Sequence, residues 1–311
     1  IGPNTTLHSE FIIMGVPGLQ EYYTLFFLLF LVLFLATFLG NFLIVVLVAL
    51  DNRLHTPMYF LLWNLSFLDV LLTTAIIPKL LAILLGHNRS VTLMGCFAQM
   101  YFIISVGATE TFLVAAMAYD RYVAVVKPLH YTTIINTKVC ITMIVTVWVL
   151  GFLVPLSPLI LITPLPFCTT NYVNHLFCDY VPVLALSCED VTAQENLALF
   201  LAIVSLYVPC LFVLWSYCKI ILSVIRLKSV EGRKKAFSMC SSHMVVVVIY
   251  YVSSAMEYIA LRVESISPEG RIFIGSLNFF FTPLINPIIY SLRNEHIKSA
   301  AQRYLSFKTI F

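Results

Sequence analysis

Seven long apolar segments divide the chain, and short polar stretches separate them. Each is longer than the about 20 apolar residues that a helix needs to cross the roughly 30 Å hydrocarbon core of a bilayer. They cover residues 23–50, 57–85, 95–125, 139–161, 196–225, 235–261 and 272–292. Continuous apolar runs of this length predict membrane-spanning helices. They exclude β-barrel strands, whose apolar positions alternate over about ten residues.

The stretch that follows the seventh segment, residues 294–305, has a different pattern. Ile297, Ala301, Tyr304 and Leu305 fall on one helical face, and the charged residues lie elsewhere. This periodicity predicts a short amphipathic helix that lies in the membrane interface.

The seven segments and their loops use nearly all of the 311 residues, which predicts a single membrane domain over residues 1–311. Residues 1–22 precede the first segment, and residues 162–195 form the longest loop. The predicted fold class is an all-α membrane protein, a seven-transmembrane helix bundle with a short amphipathic C-terminal helix.

Composition supports this fold class, because 60% of the residues are hydrophobic, only 11% are charged and the mean hydropathy is +0.96. A soluble globular domain has roughly a quarter charged residues. The formal net charge of +3 does not indicate nucleic-acid binding, since the basic residues are not gathered into a patch with aromatic side chains. Membrane lipid is therefore an expected partner, and nucleic acid is not.

The basic residues are distributed unevenly between the two sides of the membrane. Of the 18 Lys and Arg residues, only Lys79, Arg89, Arg262 and Arg271 fall on one predicted side. Because short cytoplasmic loops carry an excess of Lys and Arg, the other side is predicted to be cytoplasmic. We expect a multi-pass plasma-membrane protein with an extracellular N-terminus and a cytoplasmic C-terminus.

Cysteines and a glycosylation sequon agree with that orientation. Cys96, Cys168, Cys178 and Cys188 all lie on the predicted outer side, where disulfides persist. Four cysteines allow three pairings, and their positions alone do not choose among them. Asn4 begins an Asn-Thr-Thr sequon in the predicted extracellular N-terminus, which makes it the expected glycosylation site.

Two carboxylic acids lie in the middle of predicted spans, where ionisable residues are costly. Asp69 is in the second segment and Glu110 in the third, and both cannot stay charged without a proton or a cation between them. A bound Na⁺, with Asn41 and Asn286 nearby, is one interpretation. The other is a protonated, hydrogen-bonded pair that specifies helix packing. The two interpretations remain equally open, and no other cofactor is expected.

Asp120, Arg121 and Tyr122 end the third segment at the predicted inner face. The Asp120 carboxylate can hold Arg121 until another partner competes for the guanidinium, which is the charge arrangement of a switch. The alternative is that Arg121 only anchors the helix end at the interface.

Several longer segments resemble one family of membrane proteins. The segments are Gly40-Asn41, LSFLD at 65–69, MAYDRYVAVVKPLHY at 117–131, Trp148 and NPIIY at 286–290. They have the order and spacing of rhodopsin-like G-protein-coupled receptors. Three further segments resemble odorant receptors specifically: PMYFLLWNLSFLD at 57–69, KAFSMCSSH at 235–243 and PLINPIIYSLRN at 283–294. The resemblance covers essentially the whole chain.

The resemblance implies a receptor rather than an enzyme. Such a receptor binds a small volatile organic ligand in an outward-facing pocket of the bundle. It activates a stimulatory heterotrimeric G protein, of the olfactory or the general type, and raises cAMP. The resemblance also implies the disulfides Cys96–Cys178 and Cys168–Cys188, which would staple the long loop over the bundle.

The resemblance also implies the residues of an activation switch. Asn286, Pro287 and Tyr290 join the Asp120-Arg121-Tyr122 motif in it. Position 233 is basic, so no acidic partner for Arg121 stands there, and Tyr217 is the better candidate to accept Arg121 on activation. His243 is expected in an inner polar network, with a role as a proton sensor as the alternative.

Analogy with the fold gives a mostly apolar ligand pocket with a few hydroxyl groups. Its predicted lining is Ile103, Ile104, Gly107, Ala108, Leu201, Ala202, Ser205, Tyr251, Ser254, Ala255, Tyr258, Arg262 and Phe280. Arg262 has three possible roles: contact with the ligand, pairing at the rim with Glu264 or a lipid headgroup, and pairing with Glu257. Glu257 could instead pair with a donor on the ligand.

Two other classes of function fit the residues poorly. A transporter requires an internal repeat or paired discontinuous helices, and no motif occurs twice. An intramembrane hydrolase requires a nucleophile and a base at matched depth, and His243 has no obvious nucleophile motif near it.

Overall fold

A computed structural model describes residues 9–168, 170–260, 263 and 265–305. Within these ranges, the side chains of Lys235, Met239, Tyr258, Leu292, Arg293 and Leu305 are not described. The predicted glycosylation site Asn4 and the rim residues Arg262 and Glu264 therefore lie outside the described residues, as does the predicted pocket side chain of Tyr258.

Helices account for most of the described chain. In chain order they are α1 (Tyr23–Leu50), α2 (Pro57–Leu84), α3 (Leu93–Val126), α4 (Tyr131–Ile134), α5 (Thr137–Leu153), α6 (Leu156–Ile162), α7 (Tyr180–Leu184), α8 (Thr192–Arg226), α9 (Val230–Ala260), α10 (Pro268–Arg293) and α11 (Glu295–Leu305). All seven predicted spans are helical. The first begins and ends at the predicted residues, and the fifth and sixth begin about a turn earlier than predicted.

The fourth predicted span, residues 139–161, differs from the prediction because it is two helices rather than one. Helix α5 ends at Leu153, and α6 begins at Leu156 after Pro155. A proline inside a helix lacks the backbone N–H and clashes with the preceding turn, which explains the break. Together α5 and α6 form one apolar span over Thr137–Ile162.

Six of these spans are long and apolar enough to cross a membrane, and α9 is the seventh when its two parts are counted as one. Helix α9 bends by 42° between Val230–Ser238 and Cys240–Glu257. Many side chains on the outside of the bundle are apolar and exposed, such as Val32 on α1 and Leu211 on α8, each 66% exposed. Such a surface fits contact with lipid.

Helix α3 runs through the centre of the bundle and packs against α2, α5, α8 and α9. It approaches α5 closely at Gly151. A Cβ added at Gly151 would overlap the Thr109 hydroxyl and lie 2.7 Å from the Thr109 backbone nitrogen. Glycine at this position therefore allows the two helices to touch through their backbones.

A small three-stranded sheet lies at one end of the bundle, and the sequence did not predict it. Strand β1 (Glu10–Ile13) pairs antiparallel with β2 (Ser90–Thr92) and parallel with β3 (Tyr172–Val173), so the strand order is β2-β1-β3. The N-terminal segment thus ties two loops together. We call this end of the bundle the sheet end and the opposite end the α11 end.

The sheet covers a second apolar core beneath the loops. Phe11 and Ile13 of β1 are fully buried, and Phe11 packs edge to face on Phe167 with ring centroids 5.2 Å apart. Disulfides join Cys96 to Cys178 and Cys168 to Cys188, with Cα atoms 5.4 and 5.8 Å apart. These are the two pairs that the resemblance implies, and they fasten the long loop to α3 and to itself.

Helix α11 packs against the C-terminal end of α1. Arg303 forms an ion pair with Asp51, and the Tyr304 hydroxyl donates to the Leu50 carbonyl at 3.1 Å. On the predicted apolar face, Ile297 is buried, Ala301 is half-buried and Tyr304 is 45% exposed. Ala300, which the prediction did not include, is also buried.

Candidate functional site

A polar group lies at the centre of the bundle, between α1, α2, α3 and α10. Asn286 donates from Nδ2 to the Asp69 carboxylate at 3.0 Å. Asn41 donates to the Pro283 carbonyl at 2.8 Å and to the Thr37 carbonyl at 3.1 Å. The carbonyl of Pro283 is a free acceptor because Pro287, one turn further along α10, has no N–H to offer it. Three helices are thus joined by side chains that the sequence predicted to be near one another.

Glu110 on α3 completes this central group. It is 3% exposed and close enough to Asp69 for the two charges to interact. Asp69 Oδ1, Glu110 Oε1 and Asn41 Oδ1 are buried and accept no hydrogen bond from any described residue. Buried oxygens are normally satisfied. Three unsatisfied acceptors in one polar group fit either a proton or a small cation.

The ion pair between Arg121 and Asp120 lies at the α11 end, where α3 finishes. Arg121 Nε donates to Asp120 Oδ2 at 2.9 Å, and the two side chains are 7% and 1% exposed. The Tyr131 hydroxyl donates to the other carboxylate oxygen at 2.7 Å. Burial, and then the charge of Asp120, raise the pKa of Tyr131, so the phenol keeps its proton and remains a donor. Asp120 is thus held by two donors.

Tyr217 on α8 has a different partner in this structure. Its hydroxyl lies 2.6 Å from Nδ1 of His243 on α9, and the two rings stack with centroids 5.9 Å apart. His243 is buried and also interacts with the Val114 backbone of α3, and the Tyr290 hydroxyl is buried with no hydrogen bond to any described residue. Tyr217 and His243 therefore connect α8 to α9 next to Arg121.

A cavity of about 770 Å³ at the α11 end exposes this network. It lies between the ends of α2, α3, α9 and α10, and its lining includes Met117, Asp120, Arg121, Tyr131, His243 and Tyr290. Its size falls within the range of roughly 300–1,000 Å³ that ligand pockets occupy. A charged pair that is buried by the protein but borders an open cavity is available to a competing partner.

Four predicted switch residues do not line that cavity: Tyr217 and Asn286, whose partners are given above, and Tyr122 and Pro287. Tyr122 points to α8 and packs on Trp215 with ring centroids 5.1 Å apart. Pro287 lies against Gly40 of α1, where an added Cβ would be 3.1 Å from the proline ring. Both residues therefore pack against a neighbouring helix.

Open space lies beside Gly107, in the half of the bundle nearer the sheet end. A Cβ added at Gly107 would meet no described heavy atom within 4 Å apart from its own helix and chain neighbours. The Tyr250 hydroxyl donates to the Gly107 carbonyl at 3.1 Å and also hydrogen bonds to the Thr111 hydroxyl. The predicted pocket position Gly107 is therefore next to an unfilled volume, and α9 is fastened to α3 at its edge.

The other hydroxyl groups of the predicted pocket differ in their availability. Tyr251 has a buried hydroxyl to which no described residue hydrogen bonds. Ser254 donates to the Tyr250 carbonyl at 2.9 Å, and Ser205 makes a long contact of 3.4 Å to the Ala202 carbonyl. Tyr251 is therefore the predicted pocket hydroxyl that a ligand could satisfy.

The apolar members of the predicted pocket lie where three buried clusters meet. Ile103 and Phe280 belong to the largest cluster, and Phe280 packs on Phe30 of α1 with centroids 5.0 Å apart. Ile104 packs against the cluster beneath the sheet, and Tyr251 against the cluster between α3, α8 and α9. The remaining predicted residues are on α3 and α8 and in α9: Ala108 is buried, and Leu201, Ala202 and Ala255 are half-buried.

A carboxylate pair borders the long loop above this region. Glu257 on α9 faces α10, where a Cβ at Gly275 would be 3.9 Å from its Cγ. It is close enough to Asp179 of the loop for their charges to interact. Among the described residues, neither carboxylate has a basic side chain within 4 Å. Pairing of Glu257 with Arg262 falls outside the described residues.

His175 of the same loop is buried near Asp179. Burial lowers the pKa of His175, against the opposing effect of Asp179, so the imidazole is held toward its neutral form. Its neighbour Phe177 packs edge to face on Phe279 of α10, with centroids 5.2 Å apart. The long loop therefore contacts α10 through aromatic rings.

Sequence reasoning missed two groups in these sites. Tyr131 belongs to the MAYDRYVAVVKPLHY segment, but α3 ends at Val126 and a 3-10 turn over Pro128–His130 precedes Tyr131, so α-helical periodicity could not place it beside Asp120. Tyr250 was not predicted as a site residue, and its contact with Gly107 spans 143 positions. Neither contact has a local signal in the sequence.

Comparison with known proteins gives a consistent result along the whole chain. A family model described as olfactory receptor matches residues 30–308. Human (Homo sapiens) olfactory receptor 6C4 is 42% identical over 300 residues, which cover 96% of this chain and 96% of the relative. Human olfactory receptor 6F1 is 42% identical over 295 residues, covering 95% of this chain and 96% of the relative.

The fold is also found among solved structures. Squid rhodopsin matches with a TM-score of 0.75 at 18% sequence identity, over 93% of this chain and 81% of the rhodopsin chain. At this identity the likeness concerns the fold alone, a seven-helix membrane bundle.

Proposed function

The chain belongs to the olfactory receptor family, and from this premise we propose that it signals through a stimulatory G protein. In this proposal a small volatile organic ligand binds in the bundle near Gly107. The G protein, of the olfactory or the general stimulatory type, binds in the cavity at the α11 end and raises cAMP. The observation that carries the proposal is the buried Arg121–Asp120 pair at the edge of that open cavity.

The proposal places the sheet end outside the cell and the α11 end in the cytoplasm. Two observations support it. Both disulfides are at the sheet end, and disulfides persist in an oxidising environment. Lys228 of the α8–α9 connection and the basic residues Arg233 and Lys234 in the first turns of α9 are at the α11 end, as expected for a cytoplasmic surface.

The contacts suggest how a ligand at Gly107 acts on Arg121. A ligand shifts an existing equilibrium only by binding one state better than the other. Tyr250 fastens α9 to α3 beside the open space, and His243 lies seven residues earlier on α9, about two helical turns away. A ligand that disturbs the Tyr250 contact would move the far end of α9 and separate His243 from Tyr217.

The separated Tyr217 hydroxyl then becomes a partner for Arg121. The guanidinium leaves Asp120, which keeps Tyr131 as its donor, and the cavity widens for a helix of the G protein. These steps use hydrogen bonds that the structure already contains at the α11 end, between Arg121 and Asp120, Tyr131 and Asp120, and Tyr217 and His243.

The central polar group is proposed to hold Na⁺ or a shared proton in the resting state. Asp69 and Glu110 would carry the charge, and the unsatisfied oxygen of Asn41 would be a further ligand, with Asn286 holding Asp69 in place. Compaction of α1, α2, α3 and α10 on activation would expel the ion or move the proton. A sodium dependence of the basal signal that Glu110→Gln abolishes would distinguish the ion from the proton.

The test of coupling is ligand-stimulated cAMP in cells that express the receptor or its Arg121→Ala variant. We expect the variant to reach the surface and to lose most of the stimulated signal, because the guanidinium group that changes partners on activation is gone. Arg226→Ala, an exposed arginine at the end of α8, is the matched control and should signal normally. An unaltered cAMP response in Arg121→Ala would contradict the proposed coupling.

A further inference from the structure

A groove on the lipid-facing flank of the bundle is not used by the signalling mechanism. It lies between α1, α10 and α11 and has a volume of about 360 Å³, within the range of roughly 300–1,000 Å³ typical of ligand sites. Its lining is mostly apolar and includes Ala36, Gly40, Leu284, Ile288, Ile297 and Ala301.

The shape of the groove follows from small residues and from one proline. Gly40 has no side chain, and Pro287 of α10 lies against its backbone. Ala36 on α1 and Ala301 on α11 have short side chains that do not fill the groove, and the neighbouring Ile288 of α10 is 46% exposed. The groove is therefore concave and open toward the lipid, and three helices contribute its walls.

A polar mouth closes the groove at the α11 end. Lys298 and Gln302 of α11 line it there. Lys298 donates to Glu295 at 3.0 Å, but the two side chains are 39% and 80% exposed, and an ammonium group has three donors. An exposed pair of this kind is weak. Lys298 can therefore bind a second acceptor without losing Glu295.

We propose that this groove binds one acyl chain of an anionic phospholipid whose phosphate accepts hydrogen bonds from Lys298. The choice of an anionic lipid rests on the orientation given under the proposed function, because the cytoplasmic leaflet is rich in such lipids. An acyl chain gains no hydrophobic free energy by leaving other acyl chains. Retention therefore comes from dispersion contacts with three helices at once, together with the charge at the mouth.

In the experiment, the purified full-length receptor is placed in nanodiscs whose phosphatidylserine carries a photoreactive diazirine in one acyl chain, and light then links the lipid to the residues that it contacts. Peptide mapping by mass spectrometry then locates the adducts. The same label in phosphatidylcholine tests the headgroup, and soluble glycerophosphoserine tests whether the headgroup alone competes. We expect adducts concentrated on groove residues of α1, α10 and α11, more from phosphatidylserine than from phosphatidylcholine, and no competition from the soluble headgroup.

Filling the groove should remove those adducts. Ala301→Phe fills it from α11 and Ala36→Phe fills it from α1, so the second variant covers the case in which the first does not fold. Ser299→Phe, on an exposed face of α11, is the matched control. Loss of groove adducts in both groove variants but not in Ser299→Phe supports the site. Adducts spread over all exposed helices, or unchanged by both variants, overturn it.

The charge at the mouth is tested separately. Lys298→Gln should abolish the preference for phosphatidylserine over phosphatidylcholine, whereas Lys138→Gln, an exposed lysine at the start of α5, should keep it. An equal yield from both lipids in the unmodified receptor overturns the headgroup assignment. Preferential labelling by a photoreactive sterol would overturn the acyl-chain assignment. Because adducts are measured without any signalling readout, these outcomes are independent of cAMP coupling.

Discussion

At the scale of single residues, the partners of the buried polar groups at the α11 end describe a resting receptor. Asp120 accepts hydrogen bonds from Arg121 and Tyr131, and Tyr217 is engaged by His243. In the proposed exchange Asp120 keeps the Tyr131 hydroxyl as a donor, and Arg121 gains the Tyr217 hydroxyl as an acceptor. The two charges lose each other but each keeps a hydrogen bond, which lowers the cost of separating a buried ion pair.

The role of Tyr217 is tested by Tyr217→Phe. The resting state loses a neutral hydrogen bond worth about 1 kcal/mol, whereas the active state loses a bond to a guanidinium worth about 1.5–3 kcal/mol. The equilibrium should therefore move toward the resting state, and the maximal cAMP response should fall. Tyr207→Phe is the control, because Tyr207 is on α8 but 48% exposed on the lipid side. A full response in Tyr217→Phe would refute this role.

Glu257 sets a prediction about the chemistry of the ligand. Its carboxyl group has no basic partner among the described residues and lies near Asp179 of the long loop. A carboxyl group in this situation favours ligands that carry a hydrogen-bond donor or a protonated nitrogen.

This preference is measured with paired odorants of matched size, such as an alcohol and its methyl ether or an amine and its hydrocarbon analogue. The donor-bearing member should be the stronger agonist, and Glu257→Gln should reduce that difference. Glu189→Gln, in the exposed part of the long loop, should leave it unchanged. If Glu257→Gln leaves the ranking of every pair unaltered, Glu257 does not contact the ligand.

At the scale of elements, the contact of α3 with α5 depends on a single glycine. Gly151→Ala should destabilise the receptor by about 1–3 kcal/mol, because the new Cβ meets backbone atoms of Thr109 that cannot move aside. Thermal unfolding of the purified receptor measures this. Gly107→Ala is a matched control, since its Cβ enters open space. Equal melting temperatures for Gly151→Ala and the unmodified receptor would show that α5 yields instead.

The same scale shows which elements could be predicted from the sequence. Hydrophobic length located all seven spans, since lipid imposes a minimum length that leaves a strong local signal. It could not show the break at Pro155, because prolines inside other spans, such as Pro78 in α2 and Pro209 in α8, leave those helices continuous. Strand β1 was missed because four residues that pair with two distant loops have no local periodicity to distinguish them.

The residues of the candidate site show the same difference between those with a signal in the sequence and those without one. Residues within one helical motif, such as Asp120 and Arg121, were identified together, and the central group of Asp69 and Asn286 was expected from the cost of burying polar groups. The partner of Tyr217 was not predicted, because the contact with His243 depends on how α8 and α9 turn against each other. Side-chain partners between helices require the packed bundle.

At the scale of the whole molecule, the orientation in the membrane determines which partners can reach the cavity beside Arg121 and the groove between α1, α10 and α11. The sheet end carries both disulfides, whereas the α11 end carries the Arg121 cavity and the amphipathic helix α11. If the sheet end were cytoplasmic, the disulfides would meet a reducing environment. The Lys and Arg residues would also face the wrong side.

Epitope tags at the two termini of the full receptor test this orientation. In intact cells we expect an antibody to reach the N-terminal tag, and to reach the C-terminal tag only after the membrane is permeabilised.

The uneven distribution of Lys and Arg should itself set this orientation, because loops rich in these residues are retained in the cytoplasm during insertion. Replacing Lys228, Arg233 and Lys234 by Gln should therefore increase the fraction of receptor whose C-terminal tag is labelled in intact cells. Replacing Lys79, Arg89 and Arg271 on the other side should not. C-terminal labelling of the unmodified receptor in intact cells would reverse the assignment of both ends and place the Arg121 cavity outside the reach of a G protein.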